Sequence, residues 1–179
     1  MAPKVTKSGQ LLSLDIIEGR DGVAAAKKLL KSKSVQGQGG ISTWDASSIF
    51  FEMNNLEVND KPSVRTLVLL YAADLFFRLR WEIIPALEEG KCVVATPYVE
   101  TGFAFGIAAG LQKKWLNEVF RFAPKANESF HLNGAGSAKL GAPTSGFVEF
   151  CSNIQGQDLR PKFAAYFDEL ERRGVCRPL

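Results

Sequence analysis

Side chains able to do chemistry are few and scattered in this chain of 179 residues. His131 is the only histidine, so a Ser-His-Asp triad or a histidine-based metal site would have to be built on it. Neither is expected, and no metal site is assigned. Cys92, Cys151 and Cys176 are widely spaced and form no CxxC pair, which argues against zinc or redox chemistry. A disulfide framework is not expected either, which fits a reducing cytoplasm. Lys27, Lys28, Lys31 and Lys33 make the densest basic stretch, in the pattern of a solvated helix face. Asp74 and Arg78 stand one helical turn apart, the spacing of an internal ion pair. The net charge of +3, from 22 basic and 19 acidic residues, is too small and too dispersed to imply a nucleic-acid partner.

These groups need a scaffold, and the composition is that of an ordinary globular protein, 46% apolar and 23% charged. Its length suggests one domain spanning 1–179. Residues 1–10 are polar, lack the apolar core of a signal peptide and are expected to be flexible. No apolar run approaches the ~20 residues that span a bilayer, so no membrane association is expected. Leu11 to Glu18 reads as a first strand ending at Gly19, and a helix follows from Gly22. Ile41 to Trp44 reads as a second strand and Ala46 to Asn55 as a helix. A long helix is expected from about Pro62, at its first position, to Glu89, kinked or divided at Pro85 and stopped by Gly90. Cys92 to Ala95 is a continuous apolar run, as in a strand buried on both faces of a parallel sheet. Helices are expected over 101–109 and 112–122, a strand over 129–132, and a loop over 134–146. Phe147 to Cys151 reads as another strand, and Asp158 to Arg173 as the last helix. The alternation implies an α/β fold, a mainly parallel sheet with helices on both faces. Ligands in such folds sit at the carboxyl ends of the strands, which directs attention to the loops after Glu18, Trp44 and Ala95.

The middle of the chain carries a specific pattern. Leu69-Leu70-Tyr71-Ala72-Ala73-Asp74 is followed by Ile83-Ile84-Pro85-Ala86-Leu87-Glu88-Glu89-Gly90-Lys91, Val93-Val94 and Tyr98-Val99. Gly102-Phe103-Ala104-Phe105 and then Trp115, Asn117, Glu118 and Phe122 continue it. In order and spacing this resembles the thymidylate kinase family, P-loop nucleoside-monophosphate kinases with the motifs LLYAADR, IxPALxxGK and DRYxxSxxAYQ. The match covers about a third of the chain. The family opens with EGxDGxGKST, and Glu18, Gly19, Arg20, Asp21 and Gly22 match its first half.

The second half of that loop departs from the family. Its Gly-Lys-Ser falls on Ala24, Ala25 and Ala26, which offer neither the charge nor the hydroxyl that such a loop uses to hold phosphates and magnesium. Lys27 is either a displaced substitute or a solvent-facing lysine. The family's arginines fall on Trp44, Leu75 and Pro97, and its second-strand acid on Asp45. Arg78 and Arg80 are candidate replacements, with the Asp74–Arg78 ion pair as the alternative role. The resemblance implies that the segment 134–146 stands in place of the arginine-bearing lid and that a shortened C-terminal region is to be expected. The resemblance places Tyr71, Asp74, Arg78, Tyr98 and Phe105 in a base pocket; the other reading of these aromatics is core packing. Base stacking is worth ~1–3 kcal/mol, enough to hold a nucleoside weakly, whereas single arginines contribute up to ~10³–10⁵ in phosphoryl-transfer rate. The resemblance therefore implies a catalytically impaired or inactive relative that binds a nucleotide or a protein. The alternative is an active kinase with relocated groups, and only that reading requires ATP and Mg2+. A nucleoside or nucleotide ligand and a homodimer formed through helices are the expected partners.

Overall fold

A computed structural model describes residues 9–16, 22–34, 38–55, 62–132 and 147–179. The expectations for residues 1–8, for Glu18 to Asp21 and for the loop 134–146 lie outside the described residues. Gly9 and Gln10, counted with the flexible start, are instead tied down: their amides donate to the carbonyls of Leu87 and Lys91, both at 3.1 Å.

Five strands form one parallel sheet in the order β2-β3-β1-β4-β5. They are β1 (Gln10–Ile16), β2 (Gly39–Thr43), β3 (Cys92–Thr96), β4 (Glu128–Leu132) and β5 (Arg177–Pro178). Every residue of β3 is buried, as its unbroken apolar run requires between two helical layers. Successive side chains point to opposite faces. Leu12, Leu14, Val94, Phe130 and Leu132 therefore meet Ala26 and Leu29 of helix α1 (Gly22–Lys33). Leu11, Val93 and Ala95 face the larger core of the opposite layer. That layer holds α3 (Val64–Arg78), α5 (Val99–Ala108), α6 (Lys113–Phe120), α7 (Phe147–Gln155) and α8 (Arg160–Arg172), while α2 (Ile49–Asn55) and α4 (Ile84–Glu88) complete the chain. This is the expected α/β architecture, with helices on both faces of the sheet.

Four local expectations need correction. Phe147–Gln155 is a helix, not a strand. Phe147, Phe150, Cys151 and Ile154 recur at i, i+3, i+4 and i+7, and that period dominates once the window exceeds five residues. The long helix begins one residue after Ser63, whose Oγ accepts the Thr66 amide at 3.1 Å, so Pro62 precedes the cap. Its division falls upstream of Pro85, as a π turn over Leu79–Ile83 in which the Ile84 amide reaches the Leu79 carbonyl. Pro85 offers no amide, and its ring crowds the carbonyl four residues earlier; the wider turn accommodates both. Helix α2 starts at Ile49 rather than Ala46, because the Asp45 carboxylate caps it, accepting the Phe50 and Phe51 amides at 2.8 Å.

Candidate functional site

The loops after β2 and β3 meet α3 and α5 at the carboxyl edge of the sheet. Asp74 and Arg78 lie on successive turns of α3 and both are fully buried. Arg78 Nε stands 3.2 Å from Asp74 Oδ2, an ion pair rather than an aligned hydrogen bond. Arg78 Nη1 donates to the Pro97 carbonyl at 2.9 Å and more weakly to the Ser42 carbonyl at 3.4 Å. Asp74 accepts the Asp45 amide, the Ser47 amide and the Ser47 hydroxyl at 2.9–3.0 Å. The pair thus ties α3 to the loops after β2 and β3. A buried ion pair of this kind costs about 3–5 kcal/mol to break from one side. Its guanidinium is turned into the protein, where Nε and Nη2 have no hydrogen-bond partner among the described residues.

Tyr71, Tyr98 and Phe105 come together beside this pair, all buried. Tyr71 Oη donates to the Tyr98 carbonyl at 2.6 Å, and Tyr98 Oη donates to the Pro124 carbonyl at 2.7 Å. Burial holds both phenols above their ordinary range. The Tyr71 and Phe105 rings join a cluster with Trp44, Phe50, Phe147 and Phe150. Phe147 lies 4.4 Å from Tyr71 and 5.4 Å from Phe105, measured between ring centroids. Gly102 lets α5 approach the Tyr71 and Phe120 rings: a Cβ there would stand 3.0 Å from the Tyr71 ring and closer still to Phe120.

Asp15, near the end of β1, was not singled out by sequence reasoning. Its Oδ1 accepts the Tyr98 amide at 2.9 Å, the Thr101 amide at 3.2 Å and the Thr101 hydroxyl at 2.7 Å. It therefore caps α5 from a neighbouring strand, doing what an N-cap side chain does locally. Burial pushes its carboxyl up to about 6, against the opposing hydrogen bonds from Thr101 and Tyr98. Next to it, Glu100 is likewise raised by burial, and its Oε2 accepts the Tyr166 hydroxyl at 2.6 Å. The available signal was a carboxylate inside the apolar strand LLSLDI.

Around α1 the arrangement is different. Gly22 is its first residue, Ala26 packs in the core, and Ala24 and Lys27 are exposed. Glu18, Gly19, Arg20 and Asp21 are outside the described residues. A cleft of about 570 Å³ runs beside α1, lined by Ala24, Ala25, Lys28, Leu29, Ser32, Leu132 and Leu179. Lys27 is not part of it. Among the described residues no group of three His, Cys, Asp or Glu side chains is gathered as for a metal ion. The three cysteines are free and buried. Among the described residues no helix is long and apolar enough to cross a membrane.

No protein-family model matches the chain. A probable thymidylate kinase from Pyrococcus abyssi is 29% identical over 133 residues, covering 70% of this chain and 65% of that protein. One from Pyrococcus horikoshii is 40% identical over 73 residues, 41% of this chain and 36% of its own length. The match thus spans less than two thirds of these relatives. The crystal structure of thymidylate kinase from Ehrlichia chaffeensis shares the fold, with a TM-score of 0.71 over 96% of this chain and 88% of that one, at 12% identity. With the parallel sheet and the ordered motifs on α3 to α6 in place, the chain is similar in sequence to probable thymidylate kinases and shares the fold of a thymidylate kinase.

Proposed function

We propose that this protein is a catalytically silent thymidylate-kinase-like protein that works by binding, with a second copy as its main partner. The observation that carries the reading is the commitment of Arg78. Its charge is met by Asp74 and by the Pro97 and Ser42 carbonyls, and its guanidinium is fully buried among α3 and the loops rather than presented to an open cleft. The side chains at the start of α1 point the same way. Ala24, Ala25 and Ala26 supply no cation and no hydroxyl, so they do not fit a magnesium-bound triphosphate held as the family holds it. Arg80, the other candidate for a relocated group, lies over the Trp81 ring at 5.5 Å on the exposed side of the helix.

The partner surface is the outer face of α3 and α4. Leu69, Phe76, Phe77, Trp81 and Ile84 are exposed there, and Trp81 is 66% accessible. Phe76 packs on Phe122 at 5.5 Å, which extends the patch onto the end of α6. Contiguous exposed apolar surface of this kind marks an interface more often than a solvated face. Self-association places two such faces together, in the symmetric manner of most oligomers.

A thermal-shift comparison tests the reading. A ligand that binds the native state stabilises it, by about 2.7 kcal/mol at a concentration of 100 Kd. Saturating ATP with magnesium is expected to leave the melting temperature unchanged. A magnesium-dependent rise would return the phosphate-binding role to this chain.

A further inference from the structure

Four aromatic rings from four different elements converge on one volume at the carboxyl edge of the sheet. Trp44 comes from the loop after β2, Phe50 from α2, Tyr71 from α3 and Phe105 from α5. The ring inside that volume is Phe147, the first residue of α7. It is 1% exposed. Tyr71 meets it tilted at 4.4 Å, and Phe105, Phe50 and Trp44 meet it edge to face at 5.4, 5.5 and 5.7 Å. These are the separations at which aromatic pairs attract. A flat ring enclosed by one tilted face and three edges is the environment that a planar aromatic ligand finds in a binding pocket. It also lies where ligands of open parallel sheets bind.

We propose that Phe147 is an intramolecular ligand: it fills an aromatic box that would otherwise accept a planar heterocycle such as a pyrimidine base. The inference deepens the binding-protein reading on which it rests, because it removes a free base from the native ligands of this site. Tyr71 and Phe105 are then neither a vacant base pocket nor ordinary core. They are a pocket whose occupant is carried by the same chain. Phe150, one turn further along α7, lies at 6.2 Å from Trp44 and 5.1 Å from Phe50 and serves as a neighbouring control.

Binding of thymidine, without ATP, is measured by ligand-observed NMR on the full chain and on Phe147→Ala and Phe150→Ala, with folding checked by circular dichroism. Phe147→Ala is expected to bind at least about tenfold more tightly than the native chain, the scale of one base stacked on aromatic side chains. Phe150→Ala is expected to bind no better than the native chain. If Phe147→Ala does not fold alone, recovery of its folded circular-dichroism signal on adding toluene, which matches the deleted side chain in size, carries the same test, since a ligand of the native state stabilises it. Thymidine binding to the native chain as tight as to Phe147→Ala overturns the proposal. So does a folded variant that binds neither thymidine nor toluene. No phosphoryl donor is present, so neither result depends on whether the chain transfers phosphate.

Discussion

Asp15 occupies a strand position where a parallel sheet ordinarily carries an apolar side chain, and it answers its burial with three donors from the start of α5. Those donors do not fully offset desolvation, so the folded chain holds the carboxyl proton more tightly than the unfolded chain does. Its pKa of about 6 stands above the ordinary 3.8. The sign follows: this group favours folding most below about pH 4, and the advantage declines as pH rises to about 6. The loss is on the order of 3 kcal/mol, with Glu100 adding a slope of the same sign. Asp15→Asn keeps an acceptor for Tyr98 and Thr101 without a charge. Urea unfolding at pH 4.5 and pH 7 is expected to show a smaller pH dependence for this variant than for the native chain; an unchanged slope would remove Asp15 from the explanation. At this scale the sequence was partly legible. The spacing of Asp74 and Arg78 already described their ion pair. Asp15 escaped notice because its donors lie 83 to 86 residues away in the chain, a distance that local patterns do not report.

Elements were readable where one period dominated. The continuous run of β3 and the amphipathic α1 follow from residue type alone. Phe147 to Cys151 did not, because five residues rich in aromatics suit a strand as well as a helix, and only Ile154 completes the helical stripe. The π turn at Leu79–Ile83 is also invisible to a reading that treats Pro85 as a simple break. The packing of α5 on α3 depends on Gly102, where sequence shows a small residue but not the ring above it. Alanine there gains about 1 kcal/mol in helix propensity. Against that, its Cβ meets the Tyr71 and Phe120 rings, and overpacking of a closed core costs about 1–3 kcal/mol. Gly102→Ala is therefore expected to lower stability in chemical denaturation; a neutral or stabilised variant would show that α5 has room to move.

For the whole molecule, the family resemblance and the architecture were legible because ordered motifs from Leu69 to Phe122 fall on consecutive elements of the chain. The role was less legible, since it depends on which polar groups are free, and that is a property of packing. The exposed face of α3 and α4 is expected to bring two copies together. Trp81 is its most exposed large side chain, 66% accessible, so Trp81→Glu should shift the species seen by light scattering to the monomer without unfolding it. A native chain that is already monomeric at high concentration would assign this surface to a different partner. The same packing argument governs catalysis. Kinases with their phosphate-binding groups in place turn over at roughly 1–100 s⁻¹. A coupled assay of ATP-dependent dTMP phosphorylation tests this most directly. The account predicts turnover more than about a thousandfold below that range, the scale of losing one essential cation, and ordinary turnover by the native chain would contradict it.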